Sequence, residues 1–333
     1  ALGADAAGAS WTRLLEVPEA LDRVTAPVFE DADGSLWVPQ PWGLLRLHPQ
    51  EPPRRLTERD GLPPGEVRAV HRATDGALWV GTYGGGVARL ADGSARRLTR
   101  SDGLADNFIS AIFAGVDPDA LPSSARTPTT EAGTLWMMGN NALFALPAGE
   151  LRAWIEGERS WVQPVVLDAD EGFIEPAGAA AVRTGDGVVW MGSLDGLLRL
   201  DLVNRPRNVV EPSPSVIRVL VDDRPLDGPP WRIPADADRL EIAFTAPSFV
   251  HPEHLRFRHR LRGTEEIAWS RPSPNRRAVF TDLPPGEYRL DLEAVNDEGV
   301  SGSTPQAAVF IVDAHFWETR GFRLAALLVT LGA

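Results

Sequence analysis

Three histidines stand closest to a metal-ligand pattern, with His251, His254 and His259 spaced as H-x2-H-x4-H. Imidazole nitrogens at such spacing hold a borderline divalent cation when a turn brings them together. His259 falls inside an alternating stretch, 255–261, where successive side chains point to opposite faces of a strand, so it joins the other two only if the loop folds back. Pro252 stiffens that loop. The expectation is a structural or surface role for all three and no metal site. Asp31, Asp33, Asp75 and Asp186 precede glycine or lie in turns, where a short carboxylate accepts backbone N–H bonds. None has the Asp-rich spacing of a calcium loop. Gly84, Gly85 and Gly86 open a strand pattern with no Lys-Ser/Thr after them, which excludes a phosphate cradle. No G-x-S-x-G elbow occurs, and no Ser and His share a triad context. With zero cysteines, thiolate nucleophiles, disulfides and Fe–S ligation are excluded.

Recognition is the chemistry that remains. Trp42, Tyr83, Asn107, Asn140 and Asn141 lie in or beside turns. Aromatic faces combined with amides suit sugars, through stacking on apolar ring faces and hydrogen bonds to hydroxyls. Each of the five also has a role in packing or turn chemistry open to it. The set is therefore a candidate ligand-binding group, with no catalytic residue and no cofactor expected.

The elements that position these residues follow from composition and repeats. The chain has 333 residues, enough for two folding units. Asp and Glu total 46 against 33 basic residues, all of them Arg, and the formal net charge is −13. Such a surface repels phosphate backbones, so no nucleic-acid partner is expected. Gly 31 and Pro 29 punctuate the chain at a density that favours many short strands. Four segments rhyme: 31–47, 73–90, 131–146 and 183–199 each carry a turn ending in Gly, a hydrophobe and Trp, a strand, a second turn and a strand ending near Leu. Their tryptophans, Trp37, Trp79, Trp136 and Trp190, are 42, 57 and 54 residues apart. The first interval matches a four-stranded propeller blade. The longer ones accommodate insertions at 117–131 and within 147–180. The linking stretches 54–70 and 96–112 also repeat, each reading as outer strand, Asp-Gly-Leu turn and inner strand. One small sheet cannot bury both faces, so the four must stack.

The pattern DG-x-LW-V-GT-x-GGG-V-x-R-L at 75–90 resembles the two-component-regulator propeller repeat, found in the outer sensing regions of bacterial hybrid sensor histidine kinases. The DGL-x3-N-x-I element at 102–109, with Asn107, resembles that family's blade-joining turn. Pro39, and Asn140 with Asn141, depart from it where the family has glycines. Family propellers usually close with seven blades and four are visible, so further blades are expected outside this sequence.

After residue 210 the repeat stops, and Pro212, Ser213, Pro214 and Ser215 mark a linker. Alternating stretches at 216–222, 239–245, 255–261, 276–283, 287–295 and 307–313 predict a compact antiparallel β-sandwich of immunoglobulin-like or fibronectin-like kind. AFTAPSF (243–249), RFRHRLRG (256–263), Trp269, LPPGEYRLDLEAVNDEG (283–299) and FWET (316–319) resemble, in order, the three-tyrosine sandwich that follows such propellers. Phe249, Phe257 and His259 stand where tyrosines are usual, keeping ring packing without the hydroxyls. Trp269 is expected between the sheets. The resemblance implies that the apolar run after Arg320 begins a transmembrane helix, with Phe316 and Trp317 at the membrane interface, although Arg320 and Arg323 fit that placement poorly.

The sequence reading is thus an all-β chain. Residues 1–210 form about four blades of an incomplete β-propeller, 211–314 the sandwich, and 315–333 a juxtamembrane segment and the start of a transmembrane helix. The resemblance implies an extracytoplasmic region at a bacterial inner membrane. It would bind a small molecule or oligosaccharide, work as a homodimer, and couple to a histidine kinase or diguanylate cyclase elsewhere in the protein. Two alternatives stay open: a propeller enzyme resembling streptogramin lyases, for which His71 is the only inner-strand histidine, and a secreted scaffold or adhesion module.

Overall fold

The computed structural model describes residues 24–115, 133–168, 172–173, 176–263, 268–304, 308–318 and 322, with backbone alone for 176–180 and 318. The chain divides into two compact units, which among the described residues meet in sequence at Arg205 and Pro206.

The first unit is a series of antiparallel meanders. Each Asp-Gly turn reverses the chain ahead of the Trp-bearing strand, and alternation along that strand gives one face to each neighbour. The first sheet is β1 (Phe29–Glu30), β2 (Leu36–Gln40), β3 (Gly43–His48) and β4 (Glu51–Leu56). The second is β5 (Val67–Arg72), β6 (Leu78–Thr82), β7 (Val87–Ala91) and β8 (Ser94–Leu98). The third is β9 (Ala111–Ala114), β10 (Leu135–Met138), β11 (Leu143–Leu146) and β12 (Val165–Leu167), with helix α1 (Ala148–Ile155) between its last two strands. The fourth is β13 (Pro176–Arg183), β14 (Val188–Ser193) and β15 (Gly196–Asp201). The expected insertion within 147–180 is thus partly helical, while the one at 117–131 lies outside the described residues.

The sheets stack in sequence. First strands lie side by side, β5 against β9 and β9 against β13. Trp37 and Leu44 of the first sheet share a core with Leu78 and Val80 of the second. On its other face the second sheet places Trp79, Val87 and Leu98 against Leu135, Met137, Phe144 and Leu146 of the third. The faces of Trp37 and Trp79 are therefore each covered by the next sheet. In the fourth sheet the register aligns Val182, Trp190 and Arg199 across the strands. There Trp190 is 37% exposed, with Val182 and Leu197 exposed beside it.

The two Asp-Gly-Leu turns are built alike. The Asp60 carboxylate accepts from Thr57 N–H at 2.8 Å and the Thr57 hydroxyl at 3.1 Å. Asp102 does the same with Thr99 at 3.0 and 2.8 Å. Gly61 and Gly103 follow in left-handed backbone, with φ of 94° and 99°.

The second unit contains β16 (Ser215–Val221), β17 (Arg224–Pro225), β18 (Trp231–Ile233), β19 (Arg239–Thr245), β20 (Arg256–Arg262), β21 (Arg277–Thr281), β22 (Gly286–Val295), β23 (Ser301–Ser303) and β24 (Ala308–Val312). One sheet runs β17-β16-β19-β21; the other runs β18-β24-β22-β20, with β23 paired to β22. Val219, Ile242 and Phe244 of the first meet Phe257, Leu261, Leu290 and Phe310 of the second in one core. Two expectations are corrected. The sandwich is not wholly antiparallel, because β18 pairs in parallel with β24. Trp269 does not lie between the sheets. The guanidinium groups of Arg258 and Arg260 each sit 4.9 Å from its ring centroid. Those arginines alternate along β20 with the buried Phe257 and Leu261, which puts Trp269 on the outer face.

No helix among the described residues is long and apolar enough to cross a membrane. The run after Arg320, expected to start such a helix, lies outside the described residues apart from Phe322.

Candidate functional site

The β6–β7 turn and the segment leading into β9 are stitched together by backbone. Gly84 and Gly86 donate to the Asn107 carbonyl at 3.1 and 2.9 Å, and Ile109 N–H donates to Thr82 O at 3.0 Å. Tyr83 pairs with Phe108 in an isolated bridge, their rings 4.6 Å apart and edge to face. The Arg68 guanidinium lies 5.4 Å from the Tyr83 ring centroid. Tyr83 remains 49% exposed and so offers a ring braced by Phe108 and Arg68.

Asn107 is engaged in the turn itself, its Oδ1 accepting Arg100 N–H at 2.8 Å. Its neighbour Asp106 escaped the sequence reading. Buried, it accepts Phe108 N–H at 3.1 Å and Asn140 N–H at 3.0 Å. A side chain at Gly139 would place Cβ 2.8 Å from Asp106, so that glycine makes the approach possible. Tyr83, Asn107 and Asn140 are thereby gathered at one end of the second and third sheets. Asn141 is exposed in the same turn as Asn140. Trp42 stands apart in the β2–β3 turn, half-buried with the Arg55 guanidinium 5.2 Å from its ring centroid.

A cleft of about 380 Å³ opens between the second and third sheets and α1, lined by His71, Arg72, Asp75, Trp79, Thr134 and Arg152 among others. His71 lies opposite Trp79 in register. Burial, followed by the charge of Arg183, pushes the His71 pKa down, leaving the imidazole neutral at pH 7. Arg72 is bound to Asp31 and donates to Gly76 O at 2.8 Å. Burial pushes the Asp31 carboxyl up, but hydrogen bonds from Arg72, Trp37 and the Ala32 N–H outweigh it and hold the group below its ordinary value. Asp75 is the one carboxylate among the described lining residues. It is committed to Arg89 at 2.7 Å and Ala77 N–H at 3.0 Å. The cleft therefore offers a neutral imidazole, guanidinium groups and apolar walls, a set suited to holding a small ligand.

The turn carboxylates act as expected. Asp33, Asp75 and Asp186 accept from the N–H groups of Ser35, Ala77 and Val188 at 2.8, 3.0 and 3.4 Å. The three histidines separate. His259 faces the sandwich core near Phe244 and Phe280, with Nδ1 3.3 Å from Ser270 Oγ, and burial lowers its pKa. His251 and His254 stay together in the β19–β20 connection, their rings stacked 5.5 Å apart.

Residues 61–84 match the family described as two component regulator propeller. Among solved structures, the chain is similar to the extracellular domain of a hybrid two component system from B. thetaiotaomicron, at 16% identity over 91% of this chain and 46% of that one, with a TM-score of 0.39. A second such domain from the same organism gives 12% identity over 87% and 44%, TM-score 0.36. Virginiamycin B lyase from Staphylococcus aureus gives 12% over 83% and 78%, TM-score 0.34. The chain spans less than half the length of those two extracellular domains. No curated protein matches it significantly in sequence. The match to the two-component-regulator propeller family runs from Gly61 through β5 and β6 to the Tyr83–Gly84 turn.

Proposed function

We propose that this chain belongs to the extracytoplasmic ligand-sensing and signal-coupling region of a membrane-bound two-component sensor of histidine-kinase type. The observation that carries the reading is the repeat at 61–84, whose turn–Trp–turn plan recurs in the neighbouring sheets. In this reading residues 1–210 are blades of a larger propeller and 211–314 an immunoglobulin-like or fibronectin-like sandwich of the three-tyrosine type. Residues 315–333 lead into a transmembrane helix. The region sits on the periplasmic side of a bacterial inner membrane and works as a homodimer. The exposed Tyr83 ring and the adjoining turns meet a small molecule or oligosaccharide, and this part of the protein does no bond chemistry. Exposed Phe316 and Trp317 support the interfacial assignment. A ligand switches the output only through different affinities for two arrangements of the dimer.

The test is made on the full-length protein in a bacterial host. Alkaline phosphatase inserted after Asp313 is expected to be active, which requires export, and the fusion to fractionate with membranes. Inactive phosphatase in a folded fusion, or a fusion wholly in the cytosol, overturns the reading.

A further inference from the structure

The connection between β19 and β20 holds a feature that the sensor reading does not use. His251, Glu253 and His254 present their ligand atoms within 4.8 Å of one another. His251 Nδ1 and Glu253 Oε1 are 3.4 Å apart. Zinc takes imidazole nitrogen and carboxylate oxygen at about 2.0–2.2 Å, which in a tetrahedron puts neighbouring ligand atoms about 3.4 Å from each other. One edge of such a tetrahedron is thus already formed. Rotation of the half-exposed His254 and the exposed Glu253 supplies the rest.

The backbone beneath these side chains is held on several sides. His251 adopts a φ of 43°, and its carbonyl accepts His254 N–H at 3.0 Å, closing a turn around Pro252. Arg276, just ahead of β21, donates to Pro252 O at 3.1 Å, and Arg256 of β20 donates to Glu253 O at 3.0 Å, fixing the turn from two sides.

We propose that His251, Glu253 and His254 form a zinc-binding site on the sandwich. Two imidazoles and one carboxylate leave the fourth position to water or to a ligand atom from elsewhere. The site lies wholly within the second unit, so its existence is independent of any sensing by the first.

The experiment uses tag-free protein and zinc alone. Calorimetric titration is expected to give one saturable site per chain, and cobalt in its place a visible spectrum of tetrahedral or five-coordinate type. His251→Ala and His254→Ala should each weaken binding at least about tenfold, and Glu253→Gln should weaken it and change the cobalt spectrum. His48→Ala, far along the chain, is the control and should bind as the parent does. Absence of saturable binding at micromolar zinc overturns the site, leaving a surface ion pair only. Stoichiometric binding that persists in His251→Ala and His254→Ala, with unchanged circular dichroism, overturns it equally.

Discussion

Asp75 Oδ2 accepts a hydrogen bond from Arg89 Nη2 at 2.7 Å, and Arg89 is the cross-strand neighbour of Trp79. The other oxygen of Asp75 closes the turn on Ala77 N–H. The first sheet repeats the device: Asp33 caps Ser35 and meets Arg46 at 2.9 Å, while Arg46 lies 5.7 Å from the centroid of its neighbour Trp37. In the fourth sheet Asp186 caps Val188, and Arg199 lies over Trp190. In the first and second sheets one carboxylate thus joins the turn to the arginine that flanks the tryptophan.

This device makes stability depend on acid. Asp75→Ala is expected to cost about 1 kcal/mol in urea unfolding, the scale of a charge-assisted bond that is half exposed to water. The Ser35 N–H and hydroxyl, then Arg46, lower the Asp33 pKa to about 2, and Asp75 and Asp186 also lie below 3.8. The folded state therefore binds fewer protons than the unfolded chain. The contribution is complete above about 3.8 and declines as pH falls toward about 2. Unfolding midpoints measured across that interval should drop, and drop less in Asp75→Asn.

Two glycines with the same φ of 82° separate backbone strain from steric contact. Around Gly76 a new Cβ meets nothing within 4 Å, whereas at Gly86 it would lie 2.3 Å from Leu98 O. Gly76→Ala should cost about 1 kcal/mol, the left-handed penalty alone. Gly86→Ala should cost about 3 kcal/mol or more, because the β7–β8 ladder must shift to admit it. Equal losses in thermal unfolding would refute the placement of the turn.

Trp79 and Trp190 occupy the same position in their repeats and differ in cover, with 2% and 37% exposure. Trp79→Ala should cost about 3–5 kcal/mol, as for a core tryptophan. Trp190→Ala should cost well under half of that, since much of its ring already faces water. In a longer protein that adds a sheet over this face, the Trp190→Ala loss should rise toward that of Trp79→Ala.

His259 is kept neutral by burial between the sheets. Its folded pKa lies below the unfolded value of 6.5, so its share of stability is present above about 6.5 and is lost as pH falls through the folded pKa. His259→Phe retains ring packing against Phe244 and Phe280 and removes the proton. As pH falls below about 6.5 the variant should lose less stability than the parent, the loss that remains including the share of the buried His71.

Much of the architecture was legible because the signals for it are local. The Gly turns and two-residue alternation around Trp37, Trp79, Trp136 and Trp190 fall on paired strands. Asp33, Asp75 and Asp186 cap the turns in which they occur. The candidate ligand residues were legible as turn residues only. Tyr83 presents its ring, whereas the Asn107 amide is occupied by Arg100 N–H. Asp106 went unnoticed because its second partner, Asn140, is 34 residues away.

By itself the sequence determined a chain of short strands, the period at which its tryptophans return, and the change of character near residue 210. These depend on steric and hydrophobic preferences that act over a few neighbouring residues. Tertiary structure alone decided that Trp269 lies under two arginines outside its sheet, that β18 joins β24 in parallel, and that Glu253, not His259, stands with His251 and His254. Pairing and convergence across many residues are set by which faces bury together, and no short stretch of sequence carries that information.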